Sequence, residues 1–250
     1  MRLSQRLEEA RALPTDVKTR RSMAGKYIGD VVYGGLDGII TTFAVVSGVA
    51  GAELGASIIL ILGIANLLAD GFSMGTGDYL STKSEREYYA RERQHQAERI
   101  AASPDEERTR LQALYEHNGY TTDDAASMVE IQARNPDRWV NAVMIEDRGM
   151  LQEDGNPFYN ALATFLAFVV AGLLPLIIYL IGLVTPIQPS VSFAISLFLS
   201  GVALFTLGAA KVFVTGMNPI RSGIEMLTVG GFAAFVAYVI GAALKGIGGA

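Results

Sequence analysis

The chain contains no cysteine. That excludes disulfides, thiolate metal sites and iron–sulfur clusters. It also lacks a P-loop, a nucleophile elbow and an H-E-x-x-H motif, and no glycine-rich stretch offers a phosphate cradle. An enzyme reading is therefore poor, ATP-driven work is disfavoured and no cofactor is expected. Residues 1–26 hold no apolar run ahead of an A-x-A-like site, so they do not read as a signal peptide, and the first apolar span is expected to direct insertion. The net charge of −5 decides little, because it averages very different regions.

What is present is apolar length. Half of the 250 residues are hydrophobic, and they gather in long runs separated by charged segments. This pattern predicts an all-α polytopic membrane protein with five transmembrane helices, at about 31–52, 57–80, 158–183, 191–214 and 224–244. Pro175 is expected to kink the third. The chain is then organised as a cytoplasmic amphipathic segment over 1–26, interrupted near Pro14, spans 1 and 2 within 27–82, a cytoplasmic helical insert over 83–152 and spans 3 to 5 within 153–250. In the first segment Leu3, Leu7, Ala10 and Leu13 fall at helical spacing and suit either a membrane-surface helix or a solvated arm. Span 2 carries no Gly or Pro between Gly77 and Pro104, so one long helix is expected to continue past the membrane. The insert reads as three further helices: one opened by a capping box at Ser103-Pro104-Asp105-Glu106 and ending near Gly119, one starting at Thr122-Asp123-Asp124, and one from about 137 to 148.

Basic residues divide by side. Arg2, Arg6, Arg11, Lys18, Arg20, Arg21 and Lys26 precede span 1, ten Lys or Arg lie in the insert, and Lys211 and Arg221 flank the turn between spans 4 and 5. Only Lys245 falls on the opposite side, and the links GAELGAS and VTPIQPS have none. The positive-inside rule places the N-terminus and insert in the cytoplasm and the C-terminus outside.

The chemistry concentrates in two spans. In GIANLLADGFSMGTGDYLSTKSE, Asn66, Asp70, Met74 and Asp78 recur every four residues and share one helix face. A carboxylate near the bilayer centre costs about 2.5–3.5 kcal/mol even on the lenient insertion scale, so such a stripe belongs against protein or a water-filled path. Span 1 carries YGGLDGIITTF, with Asp37 inside an apolar helix and Gly34 and Gly38 forming a GxxxG pair expected to mediate close self-association. An interfacial, hydrogen-bonded carboxylate is the plainer reading of Asp37, and core packing that of Met74. Carboxylate with thioether and no thiolate suits weak, exchangeable binding of Fe²⁺ or Mn²⁺. Glu225, at the start of span 5, fits a helix N-terminal carboxylate paired with Arg221 at i−4. The insert offers Glu92, His95, Glu98, Glu107, Glu116, His117, Met144, Glu146 and Asp147, though most suit a solvated face with i,i+4 pairs, and the two histidines read as surface residues.

The blocks YGGLDGIITTFAVVSGVAGA, GIANLLADGFSMGTGDYLSTKSE and VTGMNPIRSGIEML together resemble the vacuolar iron transporter family, and the resemblance runs over nearly the whole chain from Tyr27. It implies a five-span homodimer with its ion path between the first spans, exporting Fe²⁺ and often Mn²⁺ from the cytosol in exchange for protons. It also implies a cytoplasmic helical domain that collects metal. By position, Asp37 matches the family's span 1 metal carboxylate and Met74 its span 2 thioether. Asn66 stands where plant members have glutamate, with Asp70 as the replacement carboxylate one turn later. In the insert, Gln96 and Arg99 interrupt the family's glutamate pattern, leaving Glu92 and Glu98. Glu107 matches a further family glutamate, and the family's Met-Met…Glu becomes Val143-Met144…Asp147. The expected metal residues are thus Asp37, Asp70, Met74 and Asn66 in the membrane, and Glu98, Glu107, Met144 and Asp147 in the insert. Partners are metal ions, protons, the bilayer (plasma or inner membrane, for a bacterial-type member) and a second copy, with no nucleic acid. The rival readings are a membrane-anchored metal sensor and a transporter of another divalent cation such as Mg²⁺ or Ca²⁺.

Overall fold

A computed structural model describes residues 15–152, 156–212, 216 and 218–245. The described residues form helices and no strand: α1 (Thr15–Gly51), α2 (Ala56–Ala102), α3 (Pro104–His117), α4 (Thr122–Ala133), α5 (Pro136–Glu146), α6 (Pro157–Gly172), a 3₁₀ turn at Leu174–Leu176, α7 (Ile177–Ile181), α8 (Pro189–Ala210) and α9 (Pro219–Leu244). Five stretches are long and apolar enough to cross a membrane: Tyr27–Gly51, the helix Ala56–Ala102, Pro157–Ile181, Pro189–Ala210 and Pro219–Leu244. Even the shortest, α8 with 22 residues, is about 33 Å long. The expected amphipathic segment falls largely outside the described residues. From Thr15 the backbone runs without a break into the first span, so residue 26 marks no helix end.

Proline starts more helices here than it interrupts. Pro104, Pro136, Pro157, Pro189 and Pro219 all sit in the first turn of their helices, where the missing N–H has no intrahelical partner to lose. Asn135, Asn156 and Asn218 precede three of them as N-caps, accepting from Arg138, Phe158 and, for Asn218, both Ile220 and Arg221 backbone N–H groups. The expected capping box at Ser103 does not form: its backbone (φ −140°, ψ 66°) leaves the hydroxyl without a cap bond. Thr121 caps α4 instead, accepting from the Asp124 N–H at 3.2 Å. Pro175 breaks the third span as expected, between α6 and α7, and its carbonyl accepts a buried 2.7 Å hydrogen bond from the Ser196 hydroxyl.

The chain divides into two compact units, Met1–Tyr79 with Asn156–Ala250, and Leu80–Gly155. In the first, α1 is central and packs on α6, α8 and α9. Val46, Val49, Leu67, Phe168 and Leu176 form its main core with Ile178 and Tyr179 of α7, while Phe72, Phe198 and Phe232 are about 70% exposed, as side chains facing lipid should be. Gly34 and Gly38 serve this packing. A Cβ on Gly34 would lie 2.5 Å from the Thr164 carbonyl oxygen, and one on Gly38 would strike that of Phe168. The GxxxG pair is taken up by α6 of the same chain, which corrects its expected use as the self-association face.

In the second unit, Leu111, Tyr115, Val129, Trp139, Val143 and Met144 form an apolar core. The far end of α2 belongs to it as well, through Ile100, so the insert is four helical segments rather than three.

Candidate functional site

On α2, the buried face Leu60, Gly63, Leu67, Gly71 and Gly75 lies against the α6 region: Gly63 meets Leu176, Gly71 meets Phe165 and Phe168, and Gly75 meets Ala161. Asn66, Asp70, Met74 and Asp78 fall one position before that row and are half-buried. They therefore lie at the margin of the packed face. Asp78, at the lower end, is fixed: the buried Thr164 hydroxyl donates to its Oδ2 at 2.8 Å. Met74 packs against the main membrane core, so its thioether is already part of the packing.

Asp37 on α1 is also half-buried. The Thr41 hydroxyl donates to its backbone carbonyl at 2.7 Å, a local bond that leaves the carboxylate alone. A Cβ on Gly172 of α6 would meet Leu67 of α2 as well as Gly38 and Thr42 of α1, so the stretches that carry Asp37 and Asp70 converge on one point of α6. Neither side chain has a hydrogen-bond or ion-pair partner among the described residues. A carboxylate set in an apolar helix with no donor or cation beside it is costly unless a cation joins it. No three His, Cys, Asp or Glu side chains gather into a metal-sized group among the described residues. α1 and α2 thus carry two carboxylates with no partner among the described residues, with an amide and a thioether one turn to either side of Asp70.

The insert is arranged differently. Glu107 is buried and its two oxygens face Arg99 at 2.6 Å and Arg110 at 3.8 Å. Asp147 accepts from Arg110 and lies 3.3 Å from the Nε of Arg148. Glu107 and Asp147 line one cleft with Arg110, Leu111, Leu114 and Val143, whose volume is about 10 Å³. Met144 is fully buried in the apolar core, and Glu98 stands exposed, accepting from Gln94 at 2.9 Å. Neither lines the cleft. His95 and His117 are exposed. In α9, Glu225 is exposed and, among the described residues, no ion pair joins it to Arg221. Sequence reasoning missed Thr164 as the anchor of Asp78, and Arg110 and Arg148 as partners of the insert carboxylates. Each lies on a helix remote in sequence from its partner or was counted only as surface charge.

Residues 28–242 match the VIT family. The chain is similar to a vacuolar iron transporter of Toxoplasma gondii, 35% identical over all of this chain and 85% of that protein. It is similar to vacuolar iron transporter 1 of Arabidopsis thaliana, 32% identical over 87% of this chain and 86% of that one. A vacuolar iron transporter of Plasmodium falciparum is 32% identical over 86% of this chain and 81% of its own. These names describe transporters, not enzymes. With the five apolar spans and the intramembrane carboxylates in place, the match over most of its length makes this chain an integral membrane protein of the VIT family.

Proposed function

We propose that this protein carries a divalent transition-metal ion, Fe²⁺ and also Mn²⁺, out of the cytosol in exchange for protons. Asp37 and Asp70 are the ion-binding carboxylates, with Met74 and Asn66 as neutral neighbours. The observation that carries this reading is the two membrane carboxylates, on helices that meet at Gly172, with no hydrogen-bond or ion-pair partner among the described residues. A proton and a divalent cation can each neutralise such a carboxylate. The same oxygens then hold either protons or metal, which is the chemistry of exchange. Names of the relatives support iron as the cargo. The distribution of basic residues supports a cytoplasmic N-terminus and insert, with the C-terminus outside.

A homodimer completes the site. Two carboxylates leave a divalent ion under-coordinated, and a second copy would double them. With Gly34 and Gly38 already used, the available face is on α2, where Ala65, Ala69, Ser73 and Gly77 are exposed directly beside the polar stripe. Small residues there admit a close second helix.

Full-length protein in proteoliposomes, sorted for cytoplasmic faces outward, tests the reading. An acidic lumen should accelerate Fe²⁺ or Mn²⁺ uptake, and metal entry should make the lumen more alkaline. Metal uptake that ignores the gradient and moves no protons would leave a uniporter. Absence of any flux, with metal still bound, would favour a membrane-anchored sensor.

A further inference from the structure

We propose that in this chain three arginines take the place of a cation in the insert, so that the insert is not a metal-collecting site and is held together without bound metal. Six side chains alternate in sign through it: Glu92, Arg148, Asp147, Arg110, Glu107 and Arg99. Arg148 lies 3.3 Å from Glu92 and 3.3 Å from Asp147. Arg110 joins Asp147 to Glu107, and Arg99 closes the far end on Glu107 at 2.6 Å. Gln96, fully buried, donates to Glu92 at 2.9 Å. The residues come from α2, α3 and the end of α5, and their formal charges cancel.

Glu107 and Asp147 each already give one oxygen to a guanidinium hydrogen bond, from Arg99 and Arg110, and all three acids have an arginine within 4 Å. Glu107 is the deepest of the three acids, 5% exposed, and both of its oxygens face arginine. An ion within about 2.0–2.6 Å of such an oxygen would sit against a guanidinium of like sign. Arginine does not lose its proton in proteins, so no change of pH opens the place. The cleft between Glu107 and Asp147 has about 10 Å³ of room, the lower limit for one water. The soft donor expected beside it, Met144, is sealed in the apolar core. Burial of Glu107 is tolerable only because a fixed positive charge accompanies it. In the membrane the carboxylates have no such charge and wait for a mobile one. The contrast points metal chemistry to Asp37 and Asp70 rather than to the three acids of this series.

Trp139 allows the test within the intact protein. It is the only tryptophan, 4% exposed in the insert core, with the Arg108 guanidinium 5.6 Å from its ring. The membrane site is first disabled with Asp37→Asn and Asp70→Asn, so that any remaining Mn²⁺ binding belongs elsewhere. In that background, equilibrium binding should find no Mn²⁺ site tighter than millimolar, and the Trp139-monitored unfolding midpoint should be the same in chelator and in Mn²⁺. Adding Arg99→Gln, Arg110→Gln and Arg148→Gln uncovers the three acids. The midpoint should fall in chelator, and Mn²⁺ should restore it. If the triple variant does not fold, Arg110→Gln alone uncovers Glu107 and Asp147, with Arg110→Lys as the charge-keeping control that stays insensitive to Mn²⁺. An insert that binds Mn²⁺ as it stands, or uncovered carboxylates that still ignore Mn²⁺, would overturn the proposal. Both readouts are independent of flux, so failure of the transport reading leaves them intact.

Discussion

Asp37, Asp70 and Asp78 are chemically the same group in two states of satisfaction. Asp78 has the Thr164 hydroxyl at 2.8 Å, whereas Asp37 and Asp70 have no hydrogen-bond or ion-pair partner among the described residues. The difference predicts opposite phenotypes. Asp37→Asn and Asp70→Asn remove a charge that nothing in the protomer balances, so each should leave the thermal midpoint in detergent unchanged or raised. Each should also reduce metal flux in proteoliposomes to that of protein-free vesicles. Thr164→Val should do the reverse: it strips Asp78 of its donor and should lower stability by about 2 kcal/mol, with flux reduced only in proportion to folded protein. A destabilised Asp37→Asn with residual transport would count against the assignment. Asp37 and the four-residue stripe were legible in the sequence because a charge in an apolar run, and a repeat of four, are local signals. Thr164 was not, since a threonine in span 3 says nothing of a carboxylate 86 residues earlier.

Helix α2 was the most readable element, because nothing in its sequence stops it between Ala56 and Ala102. Helix starts were read less well. Asn135-Pro136 follows the end of α4 and is also the N-cap and first turn of α5, and Asn156-Pro157 and Asn218-Pro219 begin α6 and α9 in the same way. The same dipeptide marks a stop and a start because the proline forbids the helix behind it and suits the one ahead. Asn218→Ala should therefore cost about 1 kcal/mol at the entry of α9, measurable as a lower thermal midpoint. Glycines on the two membrane helices divide in the same way. A Cβ on Gly38 would strike the Phe168 backbone, whereas one on Gly77 meets nothing within 4 Å. Gly38→Ala should lose about 1–3 kcal/mol from overpacking, with no flexible side chain to yield. Gly77→Ala should gain up to about 1 kcal/mol of helix propensity in the isolated protomer. In dimer-forming conditions Gly77→Leu should weaken association without unfolding the protomer, read by light scattering in detergent. Equal monomer fractions for Gly77→Leu and the parent would remove α2 as the association face.

At the scale of the molecule, hydrophobic length in the sequence was enough to place five spans, because each span is a property of consecutive residues. The insert's ionic series was not visible, because its pairs join residues 92 with 148, 99 with 107, and 110 with 147, and only the packing of helices sets that register. The result is a unit whose stability should depend on pH at both ends. The Gln96 hydrogen bond, with the positive charges of Arg148, His95 and Arg99, outweighs burial and holds the Glu92 carboxyl below its ordinary 4.5. The folded insert thus binds that proton less readily than the unfolded chain. The stabilisation is complete above the unfolded value and is lost as pH falls through the lower, folded one. Tyr115 is the opposite case: burial pushes its phenol above the ordinary 10.0, against the lowering effect of the Gln132 hydrogen bond. Its contribution is complete below the unfolded value and is lost as pH rises through the folded one. The Trp139-monitored midpoint of full-length protein should therefore hold a plateau, with an acid limb starting near pH 4.5 and an alkaline limb starting near pH 10. Glu92→Gln should shallow the acid limb and leave the alkaline one, and Tyr115→Phe should do the converse. Added salt should lower the plateau modestly, since Arg99, Arg110 and Arg148 keep 35–38% of their side-chain surface and the outer pairs are open to screening. A Glu92→Gln profile that superimposes on the parent at every acid pH would show that the series holds the insert without drawing on this carboxylate's charge.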